Sequence, residues 1–336
     1  MKQYKYYIFG YSDYIKNSLS DVLKLPNVKY FDLFRADNFI IQLIHRVFVS
    51  RHVHLLSKLL MTFCKKMYFK DDKIELDDSS VLIMYEINPL SNKQQWIRQM
   101  RKDYPGIKIV YIFTNIIDEH RLWRIEQIKK DRDLYDLVLT FNKNDADKYN
   151  IDYYEGVFSP LKISNDLVDK AEECDVYFCG LEKGRLPLLI SLYETLTSKN
   201  VKCIFDIIHV KESEKEYYDG IRYHSQLLDN EEMLANVMKS KCILEVMVDT
   251  TQPGSSLRMC ESIVFKKKLL TNNPYVKEKS FFNPKQMCYF NTPESIDVSF
   301  IFKEIEEDEY SDSNLLSPTK LLNYIEQRMI KKDKNE

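Results

Sequence analysis

Residues 250–273 bring a Gly/Ser turn (Gly254, Ser255, Ser256), a helix carrying Glu261 and an apolar strand within two dozen positions. Where such a loop enters a helix, unpaired N–H groups and a partial positive charge suit a diphosphate. Glu261 lies about two turns into the helix implied by 255–265, placed to accept hydrogen bonds from both hydroxyls of a ribose. The competing structural reading is a buried helix capped by Ser255, with Glu261 in a local salt bridge.

A second constellation is CDVYFCGLEKGRLPLL at 174–189. A strand ends at Gly180, a short loop carries Lys183, Gly184 and Arg185, and a helix starts near Leu186. Ligands bind at the carboxyl ends of parallel strands in open α/β sheets. Basic side chains there can neutralise a diphosphate, and arginine can do so with two parallel hydrogen bonds. The plainer alternative is a βα loop with solvated basic residues. Glycine is scarce, 7 in the whole chain, yet Gly180, Gly184 and Gly254 all fall in these two loops. Glycine permits positive φ and close backbone approach of a ligand.

The elements that must position these groups alternate along the chain. Apolar runs at 4–10, 80–86, 108–115 and 137–141 read as strands, with helical patterns at 13–25, 92–103 and 119–130 between them. Continuous apolar runs separated by helices indicate parallel strands covered on both faces. A polar link spans 159–173, and the pattern then restarts with strands at 175–180, 201–208, 242–248 and 268–271. Helices are expected at 186–197, 230–239 (N-capped by Asn230) and 255–265, and an amphipathic one at 317–330. The chain therefore reads as α/β, with two Rossmann-like domains at 1–160 and 174–316 and a carboxyl-terminal helix and tail at 317–336.

Bulk properties narrow the classes. Hydrophobic residues at 44% and charged residues at 30% fit a soluble globular protein. A net charge of −2 argues against general nucleic-acid binding, which needs a basic footprint. The cysteines at 64, 174, 179, 203, 242, 260 and 288 form no CxxC pair, and the histidines show no metal-ligand spacing beyond a weak His52/His54 pair. Free thiols in a reducing compartment are expected, with no metal. The amino terminus enters a strand-like run without a signal-peptide pattern, so a cytoplasmic protein is expected. No GxGxxG follows a strand, which disfavours a dinucleotide dehydrogenase.

The Gly/Arg/Lys loop followed, about 80 residues later, by the glutamate helix resembles the nucleotide-sugar clamp of GT-B glycosyltransferases. The likeness covers about 174–290, and the run KKKLLTNN at 266–273 is similar to transferases of bacterial capsule and lipopolysaccharide biosynthesis. The resemblance implies two domains facing a cleft, a nucleotide-sugar donor rather than a bound cofactor, and a glycan or lipid-linked acceptor. It implies that Glu261 holds the donor ribose, while Gly180, Lys183, Arg185 and the amides of Gly254–Ser256 hold the diphosphate. Tyr223, Gln226 and Leu227, before the 230–239 helix, fall where the family holds the nucleotide base. The chain departs from the pattern at Pro253, where retaining members have a first glutamate, and at Lys266, where a glycine usually follows the helix. A retaining mechanism is therefore not implied.

The first half would supply the acceptor site and, for an inverting reaction, a catalytic base worth roughly 10²–10⁴ in rate. Asp13, in the first βα loop after Gly10, is the leading candidate; Glu86 and Asp118 are the others. Residues 41–70 contain no acidic residue and six Lys or Arg, interleaved with apolar residues at helical spacing. Such a helix can lie on an anionic membrane surface, which implies peripheral attachment at the inner face of the plasma membrane; the alternative is a hairpin packed on the first domain. Two rival functions share the scaffold: a nucleotide-sugar epimerase, and a non-catalytic nucleotide-sugar-binding assembly partner.

Overall fold

The structure, a computed structural model, describes residues 4–10, 13–32, 43, 76–250 and 253–333. The chain forms two compact units, Met1–Tyr154 with Pro318–Glu336, and Glu155–Ser317.

The first unit runs β1 (Lys5–Gly10), α1 (Asp13–Ser18), β2 (Val28–Asp32), β3 (Ser80–Tyr85), α2 (Gln94–Asp103), β4 (Lys108–Phe113), α3 (Leu122–Lys130), β5 (Leu137–Thr140), α4 (Lys143–Tyr149) and β6 (Asp152–Tyr153). The second contains α5 (Asn165–Lys170), β7 (Cys174–Leu181), α6 (Leu186–Ser198), β8 (Cys203–Ile208), β9 (Ile221–His224), α7 (Asn230–Lys239), β10 (Ser240–Glu245), α8 (Leu257–Val264), β11 (Lys268–Thr271), β12 (Met287–Tyr289) and α9 (Val298–Phe302). The final helix, α10 (Pro318–Asp333), belongs to the first unit.

Each unit is built on one six-stranded parallel sheet, in the orders β2-β1-β3-β4-β5-β6 and β12-β11-β10-β7-β8-β9. The sequence reading finds the four inner strands of each sheet and misses β2, β6, β9 and β12. All four are edges. An inner strand such as β3 is buried along its whole length and needs an unbroken apolar run. An edge strand has only one neighbour, and the two residues of β6 are both half-buried, so polar residues suffice.

The polar link expected at 159–173 contains α5 and lies inside the second unit, whose boundary falls at Glu155. In place of an independent tail, α10 buries Leu321, Leu322, Ile325 and Met329 and ties itself to the first unit through polar pairs. Tyr6 donates to Glu326 at 2.5 Å, and Arg328 pairs with Asp152. Cys174, Cys203, Cys242 and Cys260 are buried free thiols, while Cys179 and Cys288 are half-buried. Among the described residues no helix is long and apolar enough to cross a membrane.

The lysine run at 266–268 explains how the second unit closes its helix ends. Lys266 takes φ +50 after α8, the left-handed conformation that favours glycine and the place where the GT-B pattern has one. The Lys267 ammonium donates to the carbonyls of Met238 (2.6 Å) and Ser240 (2.8 Å) at the end of α7. Lys268, buried, does the same for α9 through Phe300 (2.7 Å), Ile301 (3.1 Å) and Lys303. A cation at a carboxyl-terminal helix end satisfies orphan carbonyls and the helix dipole together. Lys268→Met keeps the stem but strands those carbonyls, and should cost the second unit about 1–3 kcal/mol in urea unfolding. An unchanged midpoint would show that the cap contributes nothing.

Candidate functional site

In the second sheet the chain leaves β7 for β8 and β9 on one side, then returns to β10 on the other. The carboxyl ends of β7 and β10 therefore flank a topological switch point, the usual ligand crevice of such sheets. Register places Cys179 of β7 beside Asp206 of β8, and Glu245 of β10 beside Thr271 of β11. Apolar side chains fill the strands below, so charge collects at this rim.

The loop after β7 turns through two consecutive left-handed residues, Lys183 (φ +48) and Gly184 (φ +78). That turn sends Arg185 back over the sheet edge. Its Nε (3.0 Å) and Nη2 (2.8 Å) donate to the Leu181 carbonyl, Nη1 donates to that of Val246, and the guanidinium lies 5.1 Å from the centre of the Phe178 ring. Arg185 thus stitches β7 to β10 across the switch point. Gly180 makes the room, since a Cβ there would lie 2.6 Å from Arg185 Nη2. Burial lowers the Arg185 pKa, and Arg258 nearby lowers it further. Lys183 is exposed on the same loop.

On the β10 side, α8 begins at Ser256, whose hydroxyl accepts from the Met259 N–H at 3.1 Å, so Ser256 and not Ser255 is the cap. The N–H groups of Leu257 and Arg258 have no partner among the described residues. Gly254 and Ser255 lie in the approach to the helix, and the Pro253 carbonyl is held by the buried ammonium of Lys279. Glu261 is 2% exposed, and its Oε2 accepts from Arg258 Nη1 at 2.5 Å. The local salt bridge weighed as the structural alternative is therefore present, and it sits at the rim rather than away from it. Burial raises the Glu261 carboxyl to about 7, against Arg258 and with help from Glu245.

Two groups at this rim were missed in the sequence. Glu245, 3% exposed, ends the otherwise apolar strand CILE; Oε2 accepts from the Thr271 hydroxyl, and Oε1 is buried with no hydrogen-bond partner among the described residues. Burial raises its pKa, while the Ser256 and Thr271 hydroxyls and the two arginines pull it down. Arg258 lies between Glu261 and Met233 Sδ, 3.0 Å away. An arginine in the first turn of a helix opposes the dipole, and that was the available signal. Asn272 completes the rim by accepting from the Met247 N–H at 2.6 Å and donating to its carbonyl at 3.2 Å.

Tyr223 does not lie in a loop: it is on edge strand β9, two strands from β7, and its hydroxyl donates to the Glu216 carbonyl at 3.0 Å. Gln226 and Leu227 are exposed in the loop that follows, and Asp229, not Asn230, caps α7. Beside them, buried Asp206 accepts from the Tyr177 hydroxyl at 2.7 Å and pairs with His224 Nε2 at 2.7 Å.

In the first unit Asp13 opens α1, and its side chain lies outside the described residues. Glu86 is locked to Arg121 (2.8 Å) and to the Thr114 N–H (3.1 Å), and Asp118 pairs with Arg121 at 2.7 Å. Both carboxylates are committed to local structure. Residues 41–70, Leu43 apart, lie outside the described residues, as do Thr251 and Gln252. Among the described residues no group of three or more His, Cys, Asp or Glu converges as metal ligands would.

The raised Glu261 carboxyl has a measurable consequence. The folded chain binds this proton more tightly than the unfolded chain, whose glutamate titrates near 4.5. The stability contributed is present below about pH 4.5 and is lost as pH rises through about 7. Glu261→Gln, always neutral, should gain on the wild type by on the order of 3 kcal/mol across that window, whatever its offset at low pH. Urea unfolding at a series of pH values checks this, and a pH-independent difference would refute it.

No protein-family model matches the sequence, and no curated protein matches it in sequence either. Solved structures do match over nearly the whole chain. UDP-N-acetylglucosamine 2-epimerase from Rickettsia bellii is 15% identical with a TM-score of 0.52, covering 98% of this chain and 97% of that one. The α,α-trehalose 6-phosphate synthase from Burkholderia multivorans is 10% identical with a TM-score of 0.52, covering 99% of each. At such identities the likeness shows the fold, and that fold is GT-B: two parallel-sheet α/β domains.

Proposed function

We propose that this protein is a glycosyltransferase that moves a sugar from a nucleotide-sugar donor to a glycan or lipid-linked acceptor in bacterial surface-polysaccharide synthesis. The observation that carries the reading is Glu261. Its carboxylate is buried in α8 at the switch point of a GT-B domain, and this supports reading it as the acceptor of both ribose hydroxyls of a nucleotide. Lys183, Arg185 and the N–H groups from Gly254 to Arg258 supply positive potential for the diphosphate, which stabilises it as a leaving group without a metal. Tyr223 on β9, with Gln226 and Leu227 in the loop that follows, would hold the base. The first unit brings the acceptor, with Asp13 as the base that removes its proton, and residues 41–70 hold the enzyme at the cytoplasmic membrane surface.

An epimerase on the same fold would turn over its nucleotide sugar with no acceptor, and a non-catalytic partner would bind nucleotide without turnover. Neither is favoured by a specific contact in the second unit. Calorimetric titration with UDP, GDP, CMP and ADP should show selective binding of one nucleotide. Glu261→Ala removes a charged hydrogen bond worth about 1.5–3 kcal/mol, so its affinity should fall roughly tenfold or more. Absence of binding to all four would leave the fold standing and remove the transferase reading.

A further inference from the structure

We infer that Glu245, Asn273 and Ser255 form a specificity pocket for the transferred sugar, and that it takes a group with a hydrogen-bond donor and acceptor side by side. A vicinal hydroxyl pair or an acetamido group has that chemistry. The inference rests on the reading of the second unit as a nucleotide-sugar domain, and adds Glu245 and Asn273, which the glutamate-helix pattern does not include.

Six buried side-chain atoms lack a hydrogen-bond partner among the described residues, and three of them, Glu245 Oε1, Ser255 Oγ and Asn273 Nδ2, belong to one small region of the second unit. The Thr271 hydroxyl joins two of these residues: it donates to Glu245 Oε2 and accepts from the Asn273 N–H at 3.0 Å. The third adjoins Ser256, whose hydroxyl is close enough to Glu245 to lower its pKa. Asn273 Oδ1 accepts from the Tyr275 N–H at 3.0 Å, which fixes Nδ2 as the free end of the amide and starts the turn Pro274–Glu278. That turn delivers Lys279, whose buried ammonium holds the Pro253 carbonyl in the approach to α8. The ends of β10 and β11, the turn and the approach to α8 thus bring the three atoms together from separate segments.

The three atoms are complementary, yet they do not bond to one another. An ionised Glu245 only accepts, the Asn273 NH2 only donates, and the Ser255 hydroxyl does either. Enclosed polar atoms are nearly always paired, because each has given up its hydrogen bonds to water. Here their neighbours hold them apart: Glu245 is anchored by Thr271, Asn273 by Thr271 and Tyr275, and the chain beside Ser255 by the Ser256 cap on Met259. An acceptor and a donor held side by side without meeting suit a guest that bridges them. Phosphate oxygens, which only accept and carry negative charge, cannot satisfy Glu245; a sugar carries donors and acceptors on adjacent carbons and can. Ser255, half-buried, is the least enclosed of the three, and its unpaired hydroxyl is free to turn towards a guest. Val248 and Leu257, just beyond Glu245 and Ser255 in the chain, are exposed, so the pocket lies directly inside the rim.

The test is calorimetric titration of wild type, Glu245→Gln and Asn273→Asp with UDP, GDP, CMP and ADP, each free and as its sugar conjugates. Wild type should bind the conjugates of one nucleotide, and its preference between hexose and N-acetylhexosamine tells the hydroxyl pair from the acetamido group. Each variant should lose about tenfold or more for the preferred conjugate while its affinity for the free nucleotide stays unchanged. Equal losses for nucleotide and conjugate would overturn the inference, since the residues would then only hold the rim together. An undiminished affinity for the conjugate would overturn it as well. Failure of wild type to bind any of these compounds would instead bring down the donor reading, and the inference with it. E245Q keeps the shape of the side chain, and N273D keeps the oxygen that caps the Tyr275 N–H. Should thermal melting show both unfolded, Ser255→Ala, at the half-buried member of the three, must show the same pattern with a smaller loss.

Discussion

A parallel sheet is stable only when both faces are covered, and in the second unit that constraint decides where polar chemistry can sit. The strands are apolar through their middles, with Phe178, Phe205 and Leu244 packed on one face and Tyr177, Ile204 and Ile243 on the other. Charge is admitted where backbone hydrogen bonding runs out, at the strand ends and helix termini. The carboxyl rim of β7 and β10 collects Arg185, Glu245, Arg258 and Glu261 for this reason. Their buried pairing is costly in itself: ions taken from water must recover several kcal/mol from each other. Such clusters are weak evidence of stability, and in this one an oxygen of Glu245 is buried with no hydrogen-bond partner among the described residues.

The same accounting of unpaired groups separates structural from functional charge elsewhere in the molecule. Half-buried Lys267 and buried Lys268 have no carboxylate partner among the described residues, yet each is surrounded by carbonyls at a helix end. Arg124 is buried among hydroxyls, amides and a carbonyl, and stacks on Tyr111 at 4.5 Å. In these sites every donor has somewhere to go, and the residues hold elements together. The Lys-rich run that resembles a transferase signature is, in its own contacts, a set of helix caps. Its neighbours Thr271 and Asn272 are what connect that run to the rim, by holding Glu245 and Met247.

The two readings of Glu261 weighed from the sequence turn out to be compatible. It is in a local salt bridge, and it is at the switch point of the sheet. A carboxylate with its titration raised to about 7 is not a comfortable structural anion, because its burial is only partly offset by a single arginine. Departures from the GT-B pattern have local explanations of the same kind. Lys266 adopts the left-handed turn that glycine usually makes, and at Pro253 a backbone carbonyl and a lysine stand where a glutamate is absent.

The sequence by itself determined the inner strands of both sheets, the order of helices between them and the two loops that face the rim, because burial on both faces demands long apolar runs and leaves turns to Gly, Ser and Arg. It did not determine the four edge strands, whose single neighbour imposes no such run, and so Tyr223 was read as a loop residue. Nor did it place α10, since an amphipathic face does not name the surface that covers it; only tertiary packing joined Glu326 to Tyr6 and Arg328 to Asp152. Arg258 and Glu245 were visible as letters but had no meaning without the third dimension. Glu245 is buried against Thr271 of β11, and Arg258 reaches Met233 of α7 as well as Glu261 of its own helix, contacts decided only when the sheet and its helices pack together.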